Sequence, residues 1–262
     1  MQDGFIKVSA GTPDIKVADC EYNRGEIISL IDKAYAQGVR VLVLPELCIT
    51  GYTCQDLFFQ QELLDGALSA LRSITEHTRG MDLLAAVGCP LRFRGELYNC
   101  AVIIKDGKIL GVVPKKFLPN YNEFYEMRHF TAAPEGEFDI ELFGESVPFG
   151  LNLLFECREM PELVFAAEVC EDLWAAEPPS ISLALGGATI IANLSASNET
   201  IGKFDYRREL VNSQSARLLC GYVFSSAGSG ESTQDLVFSG HDIIAENGIS
   251  LRRAACIPPG LS

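Results

Sequence analysis

Apolar runs of strand length alternate along the chain with segments of helical periodicity, an order typical of a layered α/β domain. Strands are predicted at 5–10, 41–46, 83–91, 163–169, 188–195 and 222–226. Helices are predicted at 22–37, 56–78, 180–186 and 203–219. Two hairpins are predicted within 97–115 and 236–251, with turns at Asp106-Gly107 and Asn247-Gly248. Because no linker, low-complexity tract or repeat interrupts this order, residues 1–262 are predicted to form one domain.

The composition of the chain limits the kinds of molecule that the protein is expected to bind. Its 262 residues are 48% hydrophobic and 21% charged, as in ordinary globular proteins, and the formal net charge is -14. This acidity argues against nucleic-acid and anionic membrane surfaces, which need clustered Lys and Arg. The apolar runs are far shorter than the roughly 20 residues that span a bilayer, and the N-terminus shows no signal peptide. We therefore expect a cytoplasmic protein that acts on a small neutral or zwitterionic molecule.

The nine cysteines and three histidines indicate neither a disulfide framework nor a metal site. An odd number of cysteines without a C-x-x-C pair is typical of reduced thiols, so a thiol oxidoreductase has little support. None of the histidines has a partner at zinc-ligand spacing. The glycine-rich segment 225–232 lacks a phosphate-binding pattern and is predicted to be a loop beside a substrate pocket. The acidic segment 135–145 is predicted to be a solvated loop and strand edge.

Three predicted strands each lead into an isolated ionisable residue, namely Glu46, Lys115 and Cys170. Active sites of layered α/β folds gather at the carboxyl ends of strands. Each residue has an ordinary alternative, as a solvated acid, a surface lysine or a core thiol. Together they form a chemical unit, because a thiol nucleophile needs a base for its proton and a donor for the oxyanion that it creates. The carboxylates within two positions of Cys170 would raise the pKa of its thiol, so Lys115 is predicted to supply a compensating cation.

Five segments of the sequence carry a resemblance to a known family. They are LPELCITGYTCQDLF (44–58), KKFLPNYNEFYEMRHF (115–130), EVCEDLW (168–174), NLSASNETIGKFDYRR (193–208) and ESTQDLVFSGHDIIAENG (231–248). In this order they resemble the nitrilase or carbon-nitrogen hydrolase superfamily, and more narrowly the glutaminase domains of glutamine-dependent NAD(+) synthetases. The resemblance covers nearly the whole chain. It implies a nitrilase-like four-layer α-β-β-α sandwich that hydrolyses the side-chain amide of L-glutamine to glutamate and ammonia.

The resemblance also implies roles for individual residues. Cys170 would attack the amide carbon and form a thioester, while Glu46 would move the protons. Lys115 would stabilise the oxyanion together with the backbone N–H of Glu171. Glu123 corresponds to a second active-site carboxylate that positions the lysine and the substrate. The residues implied to bind the amino acid end of glutamine are Tyr121, Glu171, Ser197 and Lys203. Lys203 stands where a relative carries arginine, and a lysine lacks the bidentate fork of a guanidinium, so its contact is less specific.

In the family, this domain precedes an ATP-using synthetase domain that receives the ammonia and amidates nicotinic acid adenine dinucleotide. The S-G-G-x-D-S loop that marks such a domain does not occur in this sequence. No cofactor is therefore expected here, and ATP and Mg²⁺ are expected only in that C-terminal partner domain. The resemblance further implies a homo-oligomer. Two alternatives stay open: another amidase of the superfamily, acting on a different carboxamide, nitrile or N-carbamoyl compound, and a catalytically silent domain that docks a synthetase.

Overall fold

The protein is an α-β-β-α sandwich, as the resemblance implied. A computed structural model describes residues 4–254, in which two β-sheets pack face to face and helices cover both outer faces. Residues 1–3 and 255–262 of the predicted domain, including Cys256, lie outside the described residues. The eight cysteines within the described range are free thiols.

The first sheet has seven strands within residues 4–254, in the order β1-β2-β3-β4-β5-β7-β6. These strands are β1 (Val8–Ala10), β2 (Val41–Val43), β3 (Leu84–Phe93), β4 (Glu96–Lys105), β5 (Lys108–Pro114), β6 (Phe138–Leu142) and β7 (Glu145–Phe149). Strands β1, β2 and β3 are parallel, whereas β3, β4 and β5 form an antiparallel meander. Because the chain reverses twice in the meander, β5 points in the same direction as β2.

The second sheet has six strands in the same part of the chain, in the order β13-β12-β11-β10-β9-β8. They are β8 (Phe155–Cys157), β9 (Met160–Val169), β10 (Ile190–Ser195), β11 (Gly221–Ser226), β12 (Asp242–Glu246) and β13 (Ile249–Ala254). Strands β9, β10 and β11 are parallel, so their carboxyl ends lie at one edge of the sheet.

Two pairs of helices cover the sheets. Helices α1 (Cys20–Ala36) and α2 (Gln61–His77) pack on the first sheet, while α3 (Pro179–Leu185) and α4 (Lys203–Leu218) pack on the second. Shorter 3₁₀ turns form at Tyr52–Phe59, Glu126–Arg128 and Cys170–Leu173. No helix within residues 4–254 has the length and apolar character needed to cross a bilayer.

The alternation of side chains along each strand explains the layers. In β2, Leu42 packs with the helices of the first outer layer, whereas Val41 and Val43 pack in the core between the sheets. Successive residues of a strand face opposite sides, so a strand that is apolar at every position is buried on both faces. Phe165 and Ala167 of β9 contribute to the same inter-sheet core from the other side.

The structure corrects one sequence prediction and confirms another. The predicted helix at 56–78 is divided, because Gln60 is extended and separates the 3₁₀ turn Tyr52–Phe59 from α2. The acidic segment 135–145 is predicted to be a solvated loop and strand edge, and the structure confirms this: its acids are exposed, and it supplies the edge strand β6 and the start of β7. Its residues Ile140 and Leu142 are buried, and Phe143 and Gly144 form the tight turn with positive φ values of 55° and 80°. The alternation of acidic and apolar residues there is the pattern of an edge strand.

Candidate active site

The sandwich brings the three predicted strand-end residues to one end of the molecule. Glu46 follows β2, Lys115 follows β5, and Cys170 follows β9. Their side chains are almost fully buried, with residue exposures of 0%, 1% and 6%. Water is therefore largely excluded from this site, and charges there interact more strongly than they would on the surface.

Three hydrogen bonds hold the carboxylate of Glu46. Its Oε1 accepts from Lys115 Nζ and from Asn99 Nδ2, each at 2.6 Å, and its Oε2 accepts from the backbone N–H of Ala196 at 2.8 Å. These donors come from β4, from the end of β5, and from the residue that follows β10. Glu46 is thus fixed by both sheets.

Lys115 lies between two buried carboxylates. Its Nζ donates to Glu46 at 2.6 Å and to Glu126 Oε1 at 2.7 Å. Burial alone would lower the pKa of Lys115, but the charges of Glu126 and Glu46 raise it well above its usual range. The lysine is therefore a cation in the resting site. Burial raises the pKa of Glu126 to about 7, with Lys115 acting against this rise and Glu46 reinforcing it.

The second carboxylate on Lys115 is Glu126 and not Glu123, which the family resemblance had indicated. The Glu126 N–H bonds to Pro119 O at 3.1 Å, so the chain after Lys115 folds back on itself and returns Glu126 to the lysine. Tyr52 donates from its hydroxyl to Glu126 Oε1 at 2.8 Å. The carboxylate of Glu123 instead accepts from Asn198 Nδ2. A contact between Glu123 and bound substrate stays a prediction.

Cys170 occupies a sharp turn between β9 and the 3₁₀ turn that follows it. Its φ of 47° lies in the left-handed region, which is uncommon for a residue other than glycine. Burial raises the pKa of the Cys170 thiol far above its usual value, Glu46 adds to this rise, and Lys115 opposes it. The lysine thus acts as the predicted compensating cation, but burial outweighs it. Cys170 is therefore a neutral thiol in this site.

The carboxylates beside Cys170 in sequence point in three different directions. Glu168 accepts from the Tyr222 hydroxyl and from Ser180 N, on the helix-covered face of the sheet. Glu171 accepts from the Tyr121 hydroxyl at 2.9 Å. Asp172 is fully buried and bonds to backbone N–H groups. The carboxylates that raise the pKa of the Cys170 thiol are instead Glu46 and Glu126, which come from distant parts of the sequence.

The predicted substrate-binding residues fall into three groups around the site. Tyr121 and Glu171 form one hydrogen-bonded pair. Lys203, the first residue of α4, donates to Asn198 Oδ1 and lies 5.1 Å from the centre of the Trp174 ring. Burial lowers the pKa of Lys203. These positions flank Cys170, and the binding of glutamine by these residues stays a prediction.

Ser197 is the third group and faces inward. It is 3% exposed, and its hydroxyl accepts from Arg207 Nε at 3.3 Å. The guanidinium of Arg207 is fully buried and also donates to Asn198 O at 2.9 Å and to Glu199 Oε2 at 3.1 Å. Arg207 therefore organises the segment that carries Ser197 and Asn198.

Sequence reasoning missed several polar residues of this site. They are Tyr52, Asn99, Glu126, Asp172, Asn198 and Arg207. Most of them lie inside the segments that carry the family resemblance, but their types and spacing do not mark them as functional. Asn99 had one usable signal, because a polar residue in the apolar run of β4 must find a partner when it is buried.

Comparisons with known proteins give a family match and curated relatives. Residues 7–254 match the carbon-nitrogen hydrolase family. The glutamine-dependent NAD(+) synthetase of Mycobacterium tuberculosis (strain ATCC 25618 / H37Rv) is 40% identical over 260 residues, which are 99% of this chain and 38% of that protein. This chain thus spans well under half the length of the curated relative.

Solved structures give the same result for the fold. A glutamine-dependent NAD(+) synthetase from Cytophaga hutchinsonii is similar with a TM-score of 0.85 and 30% identity, over 95% of this chain and 40% of that one. An amidase from Nesterenkonia sp. has a TM-score of 0.76 at 17% identity, over 98% of this chain and 89% of that chain. At this identity the amidase supports the fold alone.

Proposed function

Because this chain belongs to the carbon-nitrogen hydrolase family, a family of cysteine amidohydrolases, we propose that it hydrolyses the side-chain amide of L-glutamine to glutamate and ammonia. The observation that carries the proposal is the contact between Lys115 and Glu46, at 2.6 Å, beside the buried thiol of Cys170. A base, a cation and a nucleophile in a dry site are the parts that amide hydrolysis requires. The choice of glutamine is supported by relatives whose names specify it.

In the proposed first half of the reaction, Cys170 Sγ bonds to the amide carbon while its proton passes to Glu46. The high pKa of the buried thiol makes this transfer concerted with attack, because a free thiolate would be costly here. Lys115 and the backbone N–H of Glu171 stabilise the oxyanion. When the C–N bond breaks, Glu46 returns the proton to the leaving nitrogen, and ammonia departs from a thioester.

In the second half, a water molecule attacks the thioester. Glu46 takes a proton from that water and delivers it to Cys170 Sγ as glutamate leaves, so the enzyme returns to its starting state. Glu126 contributes by holding Lys115 in a second ion pair, at 2.7 Å. It keeps the ammonium in place while the charge on Glu46 changes.

The amino acid end of glutamine is proposed to lie among the flanking residues. The carboxylate of Glu171 would bind the α-ammonium, while Ser197, Lys203 and Tyr121 would bind or surround the α-carboxylate. Opposite charges at the two ends of a zwitterion give both affinity and orientation. The residues Glu123 and Asn198 link to Lys203 and would set its direction.

The ammonia is proposed to serve an NAD(+) synthetase domain, as the names of the relatives suggest. In that arrangement ATP and Mg²⁺ would bind to the synthetase domain, and this chain would need no cofactor. Assembly of this chain into a homo-oligomer belongs to the same proposal.

The test is release of glutamate and ammonia from L-glutamine by the purified chain, compared with the Cys170→Ala variant. Cys157→Ala is the matched control, because Cys157 is a free thiol in β8, away from Glu46 and Lys115. We expect Cys170→Ala to abolish turnover and Cys157→Ala to preserve it. Mass spectrometry should detect a thioester on Cys170.

Two further measurements separate the alternatives. A glutamine analogue with a diazoketone in place of the amide should alkylate Cys170, and L-glutamine should protect against it. Hydrolysis of propionamide in preference to glutamine would favour another amidase of the family. A folded chain that shows neither turnover nor an adduct would favour the silent docking domain.

A further inference from the structure

The carboxylate of Asp172 connects the two backbone segments that carry Cys170 and Lys115. Its Oδ2 accepts from the N–H of Val169, the residue before Cys170, at 3.0 Å. Its Oδ1 accepts from the N–H of Lys116 at 3.1 Å and of Phe117 at 2.8 Å, directly after Lys115. We propose that Asp172 is a positioning residue that sets the place of Lys115 relative to the Cys170 thiol. This inference rests on the proposed function.

The Cys170 side of this connection needs support because its backbone is strained. Cys170 has a φ of 47°, in a region that residues with a Cβ rarely adopt, and such conformations persist only where the surroundings hold them. The bond from Val169 N to Asp172 closes the turn across the strained residue. Without it, the turn is expected to relax toward an ordinary conformation and to move the Sγ atom.

The Lys115 side needs support for a different reason. Strand β5 ends at Pro114, so Lys116 and Phe117 have left the sheet and have no strand to accept their N–H groups. Asp172 accepts both, and thereby replaces the missing strand neighbour. Burial raises the pKa of Asp172 to about 8, and the N–H groups of Val169 and Phe117 act against this rise. One side chain therefore fixes both segments in a fully buried place.

The neighbouring carboxylates do not make this connection. Glu168 bonds toward α3 and Tyr222, and Glu171 bonds to Tyr121. Asn193 Nδ2 donates to Cys170 O at 3.4 Å. This bond holds the turn at Cys170 from the second sheet, but it does not involve the backbone that follows Lys115. Asp172 is thus suited to set the distance between the Cys170 thiol and the Lys115 ammonium, and not only to stabilise one loop.

The test is a double-mutant cycle between Asp172→Asn and Lys115→Met, read by two rates. One is kcat for glutamine hydrolysis, and the other is alkylation of Cys170 by iodoacetamide, which does not require glutamine. In the wild-type background we expect Lys115→Met to change each rate by about tenfold or more, and in the Asp172→Asn background by less than about threefold. The KM for glutamine should stay within about threefold in Asp172→Asn, because the residues at the mouth of the site are intact.

The matched control is Asp242→Asn in the same cycle with Lys115→Met. Asp242 is also a buried carboxylate, and it accepts from Ser226 N at 3.0 Å and Thr12 Oγ1 at 3.1 Å, without contact to Cys170 or Lys115. Its effects should add to those of Lys115→Met. Additive effects in the Asp172 cycle as well would overturn the proposal, since a purely structural role predicts additivity.

The two readouts separate failure of the inference from failure of the proposed function. A wild-type chain that releases no ammonia would refute glutamine hydrolysis, and the alkylation cycle would still decide the role of Asp172. Folding of each variant is checked by the fluorescence of Trp174, the only tryptophan in the sequence. If Asp172→Asn does not fold, Asp172→Ser keeps a small hydrogen-bonding group and gives the same cycle.

Discussion

Replacing Lys115 with methionine tests the electrostatics of the site most directly. The ammonium lies 2.6 Å from Glu46 and 2.7 Å from Glu126, and all three groups are buried. Methionine has similar length but no charge, so the variant leaves two carboxylates facing each other without their shared cation. Removing one partner of a buried ion pair typically costs about 3–5 kcal/mol, and we expect a loss of unfolding free energy in that range near neutral pH.

The loss should depend on pH, because a proton can take the place of the missing ammonium. Without Lys115, the two carboxylates should bind a shared proton with a pKa well above that of an exposed glutamate. In the folded wild type, the pKa of Glu126 is about 7, so Glu126 loses its proton above this pH. The folded variant keeps its shared proton there, and it therefore holds one more carboxyl proton than the folded wild type. A folded state that binds the extra proton loses stability as pH rises. The loss of unfolding free energy should therefore grow by up to about 1.4 kcal/mol per pH unit between about pH 7 and 9.

The assay is urea denaturation at about pH 6.5 and about pH 8.5, followed by the fluorescence of Trp174. Lys116→Met is the matched control, since Lys116 lies next in sequence and its ammonium is 4.8 Å from the Phe117 ring instead of between carboxylates. Its effect should stay within about 0.5 kcal/mol at both values of pH. Turnover of glutamine by Lys115→Met should fall by about 100-fold or more, as expected when an oxyanion donor is lost. An equal loss of stability for Lys115→Met at the two pH values would refute this reasoning.

Two further substitutions test the packing and the titration of the sandwich. A Cβ at Gly88 would lie 2.3 Å from backbone atoms on either side of Glu46, so Gly88→Ala should lose about 3 kcal/mol or more of unfolding free energy together with most turnover. Gly25→Ala, in open space on α1, should instead gain up to about 1 kcal/mol, and equal urea midpoints for the two variants would contradict the packing argument. Burial raises the pKa of Asp242 to about 7, so the folded protein holds a proton that the unfolded chain loses near pH 4, and stability falls as pH rises between these values. Asp242→Asn should flatten this part of the stability curve, and a curve parallel to that of the wild type would show that Asp242 does not titrate there.

The meeting of Glu46, Lys115 and Cys170 could be predicted because it follows from strand direction. Apolar runs mark the strands, and the chain reverses twice, at Arg94-Gly95 and at Asp106-Gly107, so that β5 points the same way as β2. The carboxyl ends of these strands then lie at one end of the sandwich. Each step depends on patterns of a few residues, which a single sequence displays.

The role of Glu126 could not be predicted in this way because it depends on an irregular segment. Between Lys115 and Glu126 the chain forms turns, including Asn122 with a φ of 50°, and the Glu126 N–H bonds back to Pro119 O. No periodicity determines which acid of such a segment returns to the lysine. The resemblance indicated Glu123, three residues earlier, and that residue lies in the same region but bonds to Asn198.

The charge environment of Cys170 shows why sequence neighbours are a poor guide to the pKa of a buried thiol. The three carboxylates nearest in sequence suggested a repulsive surrounding, yet each bonds elsewhere. The pKa of the thiol is instead raised by burial, Glu46 and Glu126 and lowered by Lys115. Alternation sends Glu168 to the helix-covered face, and the sharp turn at Cys170 sends Asp172 toward the end of β5. Asp172, whose position in the sequence suggested repulsion of a thiolate, therefore accepts hydrogen bonds from the backbone beside both Cys170 and Lys115. The sequence contains the charges of this site, but only the fold decides which of them face the sulfur atom.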